Sequence, residues 1–171
     1  KDAARFLSRM TSRSFEAIGV GRVAYTCWCD EDGKVIDDGT VSRLGDEHFF
    51  LTAAEPTLSW MSRLSRGFDV EIEDVSEGTA ALSLQGPTSR SVLRQCSDAD
   101  LDALKYFRTA YASVDGIDVR ISRTGYTGDL GYELWCQSPD AVKLWHAVTS
   151  PGRAWGIEPA GIDALDMVRI E

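Results

Sequence analysis

The stretch Ser122-Arg123-Thr124-Gly125-Tyr126-Thr127-Gly128-Asp129-Leu130-Gly131-Tyr132-Glu133-Leu134 carries the residues best suited to chemistry. Three glycines in seven residues let a backbone turn tightly or come close to a ligand. The loop presents Tyr126 and feeds a strand on which Glu133 and Trp135 share one face, while Tyr132, Leu134 and Cys136 share the other. A carboxylate accepts two parallel N–H bonds, and aromatic faces stack a flat ring. This set therefore suits a planar heterocycle bearing adjacent N–H donors. The alternative is a surface hairpin with an exposed Glu, and the chemistry alone leaves both open.

Other motifs carry less. Gly19-Val20-Gly21-Arg22-Val23-Ala24 fits G-x-G-x-x-A, but a dinucleotide fingerprint follows a strand and opens a helix, whereas here a strand follows. Asp30-Glu31-Asp32-Gly33 has its glycine too early for a calcium loop and reads as a hairpin turn. His48 and His146 are isolated, and no G-x-S-x-G occurs. Cys27 and Cys29 lie on one strand face, where core packing is expected. The four cysteines form neither a zinc pattern nor a dense disulfide framework, so no metal and a reduced, cytoplasmic chain are expected.

These residues need a scaffold. Asp2 to Met10 reads as an amphipathic helix with Ala3, Phe6, Leu7 and Met10 on one face. Strands are predicted over 22–29, 34–44 and 49–53, then a helix opening at Pro56 with Leu58, Met61 and Leu64 spaced along it. The alternation of Phe68, Val70 and Ile72 against Asp69, Glu71 and Glu73 predicts a half-buried strand. A strand over 79–84, a helix over 87–95 and a helical piece over 98–104 follow. Strands over 106–114, 117–123 and 132–136 then precede a helix over 139–148 with Val142, Leu144, Trp145 and Val148 buried. The fold class is α+β: antiparallel sheets with flanking helices and a ferredoxin-like element.

The 171 residues suit one medium domain or two small ones. Eighteen basic against 27 acidic residues give a net charge of −9, which argues against a nucleic-acid or anionic-membrane surface. No stretch approaches the ~20 apolar residues of a membrane span. The chain does not open on Met and is expected to be an internal piece of a longer one.

Four segments in order resemble motifs of the glycine cleavage T-protein family of folate-dependent aminomethyltransferases. Arg123 to Glu133 is similar to its RTGYTGExGxE signature, and Leu82-Ser-Leu-Gln-Gly-Pro-Thr88 to its LQGP segment. Gly33-Lys-Val-Ile-Asp-Asp38 resembles its D-D hairpin, and Pro159 to Glu171 its P-x-G-L-x-A-R-D-x-L-R-L-E stretch. The resemblance implies a folate-binding aminomethyltransferase-type fold. It places 1–46 with 106–171 in a first folate-binding subdomain and 47–105 in a second α+β subdomain, with the family's C-terminal β domain absent.

The resemblance also implies tetrahydrofolate as cofactor and transfer of an aminomethyl or methyl group. Glu133 would bind the pterin and Tyr126 would line the pocket. Trp135 would share the face of Glu133, and Arg123 and Arg169 would support the site or the ligand's carboxylates. The implied partners are folate, a small one-carbon donor and a lipoyl carrier protein. Two departures stand out. The stretch Thr52 to Trp60 holds no Asp where the family carries one near the folate N5 and N10, and Leu165 replaces the Arg of A-R-D. A non-catalytic ligand- or partner-binding module is the alternative these departures favour.

Overall fold

A computed structural model of the protein describes residues 1–170; Glu171, the last residue of the fourth motif, lies outside them. The chain divides into two compact units, 1–75 and from Ser76 onward.

The first unit opens with α1 (Ala3–Met10), whose Phe6, Leu7 and Met10 are buried. Its sheet holds β1 (Val23–Cys29), β2 (Val35–Arg43) and β3 (Phe49–Leu51), antiparallel in that order. The β1–β2 hairpin turns at Asp30–Gly33. The Asp30 Oδ1 accepts the Asp32 and Lys34 amides, and Gly33 takes the φ of +79° that a side chain would resist. Helix α2 (Leu58–Leu64) buries Met61 against this core; Pro56 sits just before the helix and not within it.

Two expectations are corrected here. Residues 68–75 belong to neither sheet. Phe68, Val70 and Ile72 do pack against the core as the alternation demands, but the backbone anchors to the chain start, through the Asp2 and Asp69 main chains and the Asp2 carboxylate. Alternation reports a face in contact with a core; it does not guarantee a ladder partner. Cys27 and Cys29 are only half-buried, because the inward face of β1 belongs to Ala24, Thr26 and the fully buried Trp28.

The second unit has a four-stranded antiparallel sheet in the order β4 (Thr79–Gln85), β7 (Gly131–Gln137), β6 (Ile117–Ser122), β5 (Thr109–Val114). One face is apolar: Leu82 and Leu84 of β4, Tyr132, Leu134 and Cys136 of β7, Val119 and Ile121 of β6, and Val114 of β5. Helices α3 (Ser89–Leu93) and α4 (Ala141–Gly152) cover that face with Val92, Leu93, Leu144, Ala147 and Val148. The alternation of strand side chains therefore sends the polar set to the opposite face.

Further differences sit outside the sheet. Residues 98–104 form turns and no helix, with the Asp100 carboxylate accepting the Asp102 and Ala103 amides. In α4, Val142 and Trp145 are exposed instead of buried, since Leu144, Ala147 and Val148 take the inward stripe. The last element, α5 (Ile162–Ile170), buries none of its residues. The α+β class with antiparallel sheets and flanking helices is the one the sequence predicts. Among the described residues no helix is long and apolar enough to cross a membrane.

Candidate functional site

The polar face of the second sheet gathers around Glu133. Cross-strand register sets Glu133 opposite Ser122 of β6 and Ser83 of β4, and Trp135 opposite Arg120 and Ala81. The Glu133 Oε2 accepts the Thr124 hydroxyl at 2.5 Å and the Ser122 hydroxyl at 3.2 Å. Those two hydroxyls lie 2.8 Å apart, and the Trp135 Nε1 donates to Ser122 Oγ at 3.3 Å. A hydroxyl has one hydrogen, so Thr124 commits its own to the nearer, charged acceptor. Among the described residues, both hydroxyl bonds to this carboxylate fall on Oε2, which leaves Oε1 as its acceptor for a further donor.

A buried cation completes the group. Arg120 is 7% exposed, and its guanidinium carbon lies 5.0 Å from the Trp135 ring centroid, a cation–π distance. Burial pulls this guanidinium below its ordinary value, while Tyr111 and Glu133 act in the other direction. A carboxylate, an indole, two hydroxyls and a guanidinium are thus gathered on this face of the sheet.

The loop from 123 to 130 places the remaining predicted residues. Tyr126 is 53% exposed, and the Arg169 guanidinium of α5 lies 3.4 Å from its ring centroid while also donating to the Tyr126 carbonyl. Arg123 turns elsewhere: its Nη1 donates to the Leu104 carbonyl at 3.2 Å, and its Nε is buried without a hydrogen-bond partner among the described residues. The geometry thus joins Glu133 with Trp135 and pairs Tyr126 with Arg169, while Arg123 ties the loop's start to the 104 turn.

Sequence reasoning missed Arg120, Ser122 and Thr124 as parts of this group. The signal was present, because strand alternation puts 120 and 122 on the face that Glu133 and Trp135 occupy once β6 and β7 are paired. A separate shallow depression at the β5 edge is lined by Asp98, Asp100, Tyr111, Ser113 and Asp118. Its three carboxylates make it a poor seat for an anionic ligand.

Comparison with known proteins decides the family. The sequence profile of the GCVT N-terminal domain matches residues 1–171. The chain belongs to this family. It is 38% identical over 176 residues to the aminomethyltransferase of Clostridium botulinum strain Loch Maree, covering 100% of this chain and 48% of that protein. The same figures hold for the aminomethyltransferase of Anoxybacillus flavithermus. The chain therefore spans about half the length of the curated relatives it matches.

Among solved structures, it resembles the glycine cleavage system aminomethyltransferase T from Bartonella henselae. The TM-score is 0.81 at 24% identity, over 97% of this chain and 45% of that one. It also resembles the heterotetrameric sarcosine oxidase from Corynebacterium sp. U-96, with a TM-score of 0.68 at 23% identity over 94% of this chain and 78% of that one. At those identities the two structures speak for the fold alone.

Proposed function

We propose that this GCVT-domain chain binds a reduced folate at Glu133 and takes part in tetrahydrofolate-dependent transfer of an aminomethyl or methyl group. One observation carries the reading: a carboxylate held from one side by Thr124 and Ser122, with its other oxygen left as an acceptor, beside an indole face. The pterin's 2-amino group and adjacent ring N–H form the donor pair such a carboxylate fits. The residues present suit the group. Family membership and the aminomethyltransferase name of relatives at 38% identity add support.

In this reading Glu133 orients the pterin, and Trp135 and Tyr126 offer it ring faces. Thr124 and Ser122 hold the carboxylate's rotamer, so that little ordering remains to be done on binding. Arg169 of α5, stacked on Tyr126 of the loop, is the cation available to the ligand's carboxylates once it leaves that ring, and Arg123 supports the site by anchoring the loop. The folate, when bound, supplies the nitrogen that accepts the one-carbon unit. The partners are that folate, a small one-carbon donor and a lipoyl carrier protein, and the proposed compartment is the cytoplasm.

The absence of any Asp between Thr52 and Trp60 favours a second reading, ligand binding without turnover. Calorimetry with 5-formyl-tetrahydrofolate and an assay for methylene- or methyl-tetrahydrofolate separate the two. Binding with product supports transfer, binding without product supports the module, and no binding overturns both.

A further inference from the structure

Gln85 is the last residue of β4 and sits opposite Gly131, the first residue of β7. Its side chain runs into the glycine-rich loop. The Nε2 lies 3.3 Å from the Thr124 carbonyl, 3.3 Å from the Tyr132 carbonyl and 3.1 Å from Ser83 Oγ, so two amide hydrogens serve three acceptors. The Oε1 accepts the Thr127 hydroxyl at 3.3 Å. One side chain thus bonds to the loop at Thr124 and Thr127 and to the start of β7 at Tyr132. Thr124 and Tyr132 are also the residues that carry, or directly precede, the Thr124–Glu133 contact.

The loop's glycines answer to the same side chain. A Cβ built on Gly125 would stand 2.1 Å from the Gln85 Oε1, and one on Gly131 would stand 1.7 Å from it. A Cβ at either position would push the Gln85 amide, the mobile end of that side chain, off its hydrogen-bond partners. Gly125 and Gly131 thus leave room for the Gln85 amide where it stands. The third, Gly128, serves the turn itself at φ +77°. The LQGP segment and the glycine-rich segment are far apart in the chain, yet they are the two halves of one lock.

We propose that Gln85 is a positioning residue for the site: its amide is the plug around which the 123–130 loop is wound, and it fixes Thr124 and Glu133 in mutual reach. The effect on ligand affinity rests on the folate reading above; the effect on the loop does not.

The test uses Gln85→Ala, Gln85→Glu, Gly131→Ala and the double variant Gln85→Ala/Gly131→Ala. Each is read by the rate of chymotryptic cleavage after Tyr126 under native conditions and by calorimetry with 5-formyl-tetrahydrofolate. Gln85→Ala is expected to speed cleavage and weaken folate binding, each by about tenfold, the scale of a lost half-buried hydrogen-bond set. Gln85→Glu keeps the shape but sets an anion against two carbonyls, so it behaves the same way. This separates hydrogen bonding from simple filling of space.

Gly131→Ala alone gives the same defect. The double variant is no worse than either single one, because the amide that Gly131→Ala would displace has already gone. Wild-type cleavage and affinity in both Gln85 variants would overturn the proposal, as would defects that multiply in the double variant. If the unaltered protein fails to bind folate, the folate reading falls, while the cleavage rates and their non-additivity in the double variant still decide the role of Gln85.

Discussion

Asp37 of the first unit is a buried strand carboxylate and Glu133 of the second a half-buried one, and their oxygens are used differently. Asp37 spends both on the main chain: Oδ2 accepts the Ala54 and Glu55 amides at 3.1 and 3.0 Å, and Oδ1 accepts the Asp38 amide at 2.7 Å. Those donors are fixed by the fold and have nowhere else to go. Glu133 instead meets two hydroxyls, both on Oε2. Hydroxyls rotate, and each can accept as well as donate. The first arrangement closes a loop; the second leaves a carboxylate that can take on a ligand without orphaning a buried amide.

The contrast predicts separable effects. The largest belongs to Asp37→Ala, which removes the acceptor for the Ala54 and Glu55 amides and should cost about 3 kcal/mol in urea unfolding. A loss below 1 kcal/mol would mean the loop holds itself. Thr124→Val keeps the shape and deletes the shorter hydroxyl bond to Glu133. It is expected to weaken folate binding by about 1–2 kcal/mol, with a smaller change in stability. The reverse pattern would make Thr124 as structural as Asp37.

A pH titration sharpens the comparison within the second unit. Burial, with Asp115 adding to it, pushes the Cys96 thiol up to about 11 from the ordinary value of 9.0. Between those values the folded chain keeps a proton that the unfolded chain has released, so this thiol makes stability fall as pH rises from 9 to 11. Cys96→Ala should flatten that part of the stability curve, and an unchanged slope would assign it to another group. The smallest effect is expected at the exposed stack. Arg169→Ala should loosen Tyr126 at a cost of about 0.5–1 kcal/mol, read from the Tyr126 ring resonances and thermal unfolding.

Much of this was legible in the sequence because it is local. The hairpin turn at Asp30–Gly33, the strand over 132–136 and the amphipathic α1 all follow from local rules. The opposed faces of Glu133 and Tyr132 were readable for the same reason.

What escaped depended on partners distant in sequence. Arg120 and Ser122 enter the site only through β6–β7 pairing, and Gln85 only through the β4–β7 register. The inward face of β1 and part of that of α4 escaped because apolar residues lie on more than one side, and only the completed core selects Trp28 over Cys27, and Ala147 over Trp145. Residues 68–72 kept the alternation of a strand without a strand to pair with.

The most direct test of the account is calorimetry of Glu133→Gln against 5-formyl-tetrahydrofolate beside the unaltered protein. The substitution preserves volume and removes the charge, so the account predicts affinity lower by about 1–3 kcal/mol with the fold intact. Equal affinity in the two proteins would contradict it.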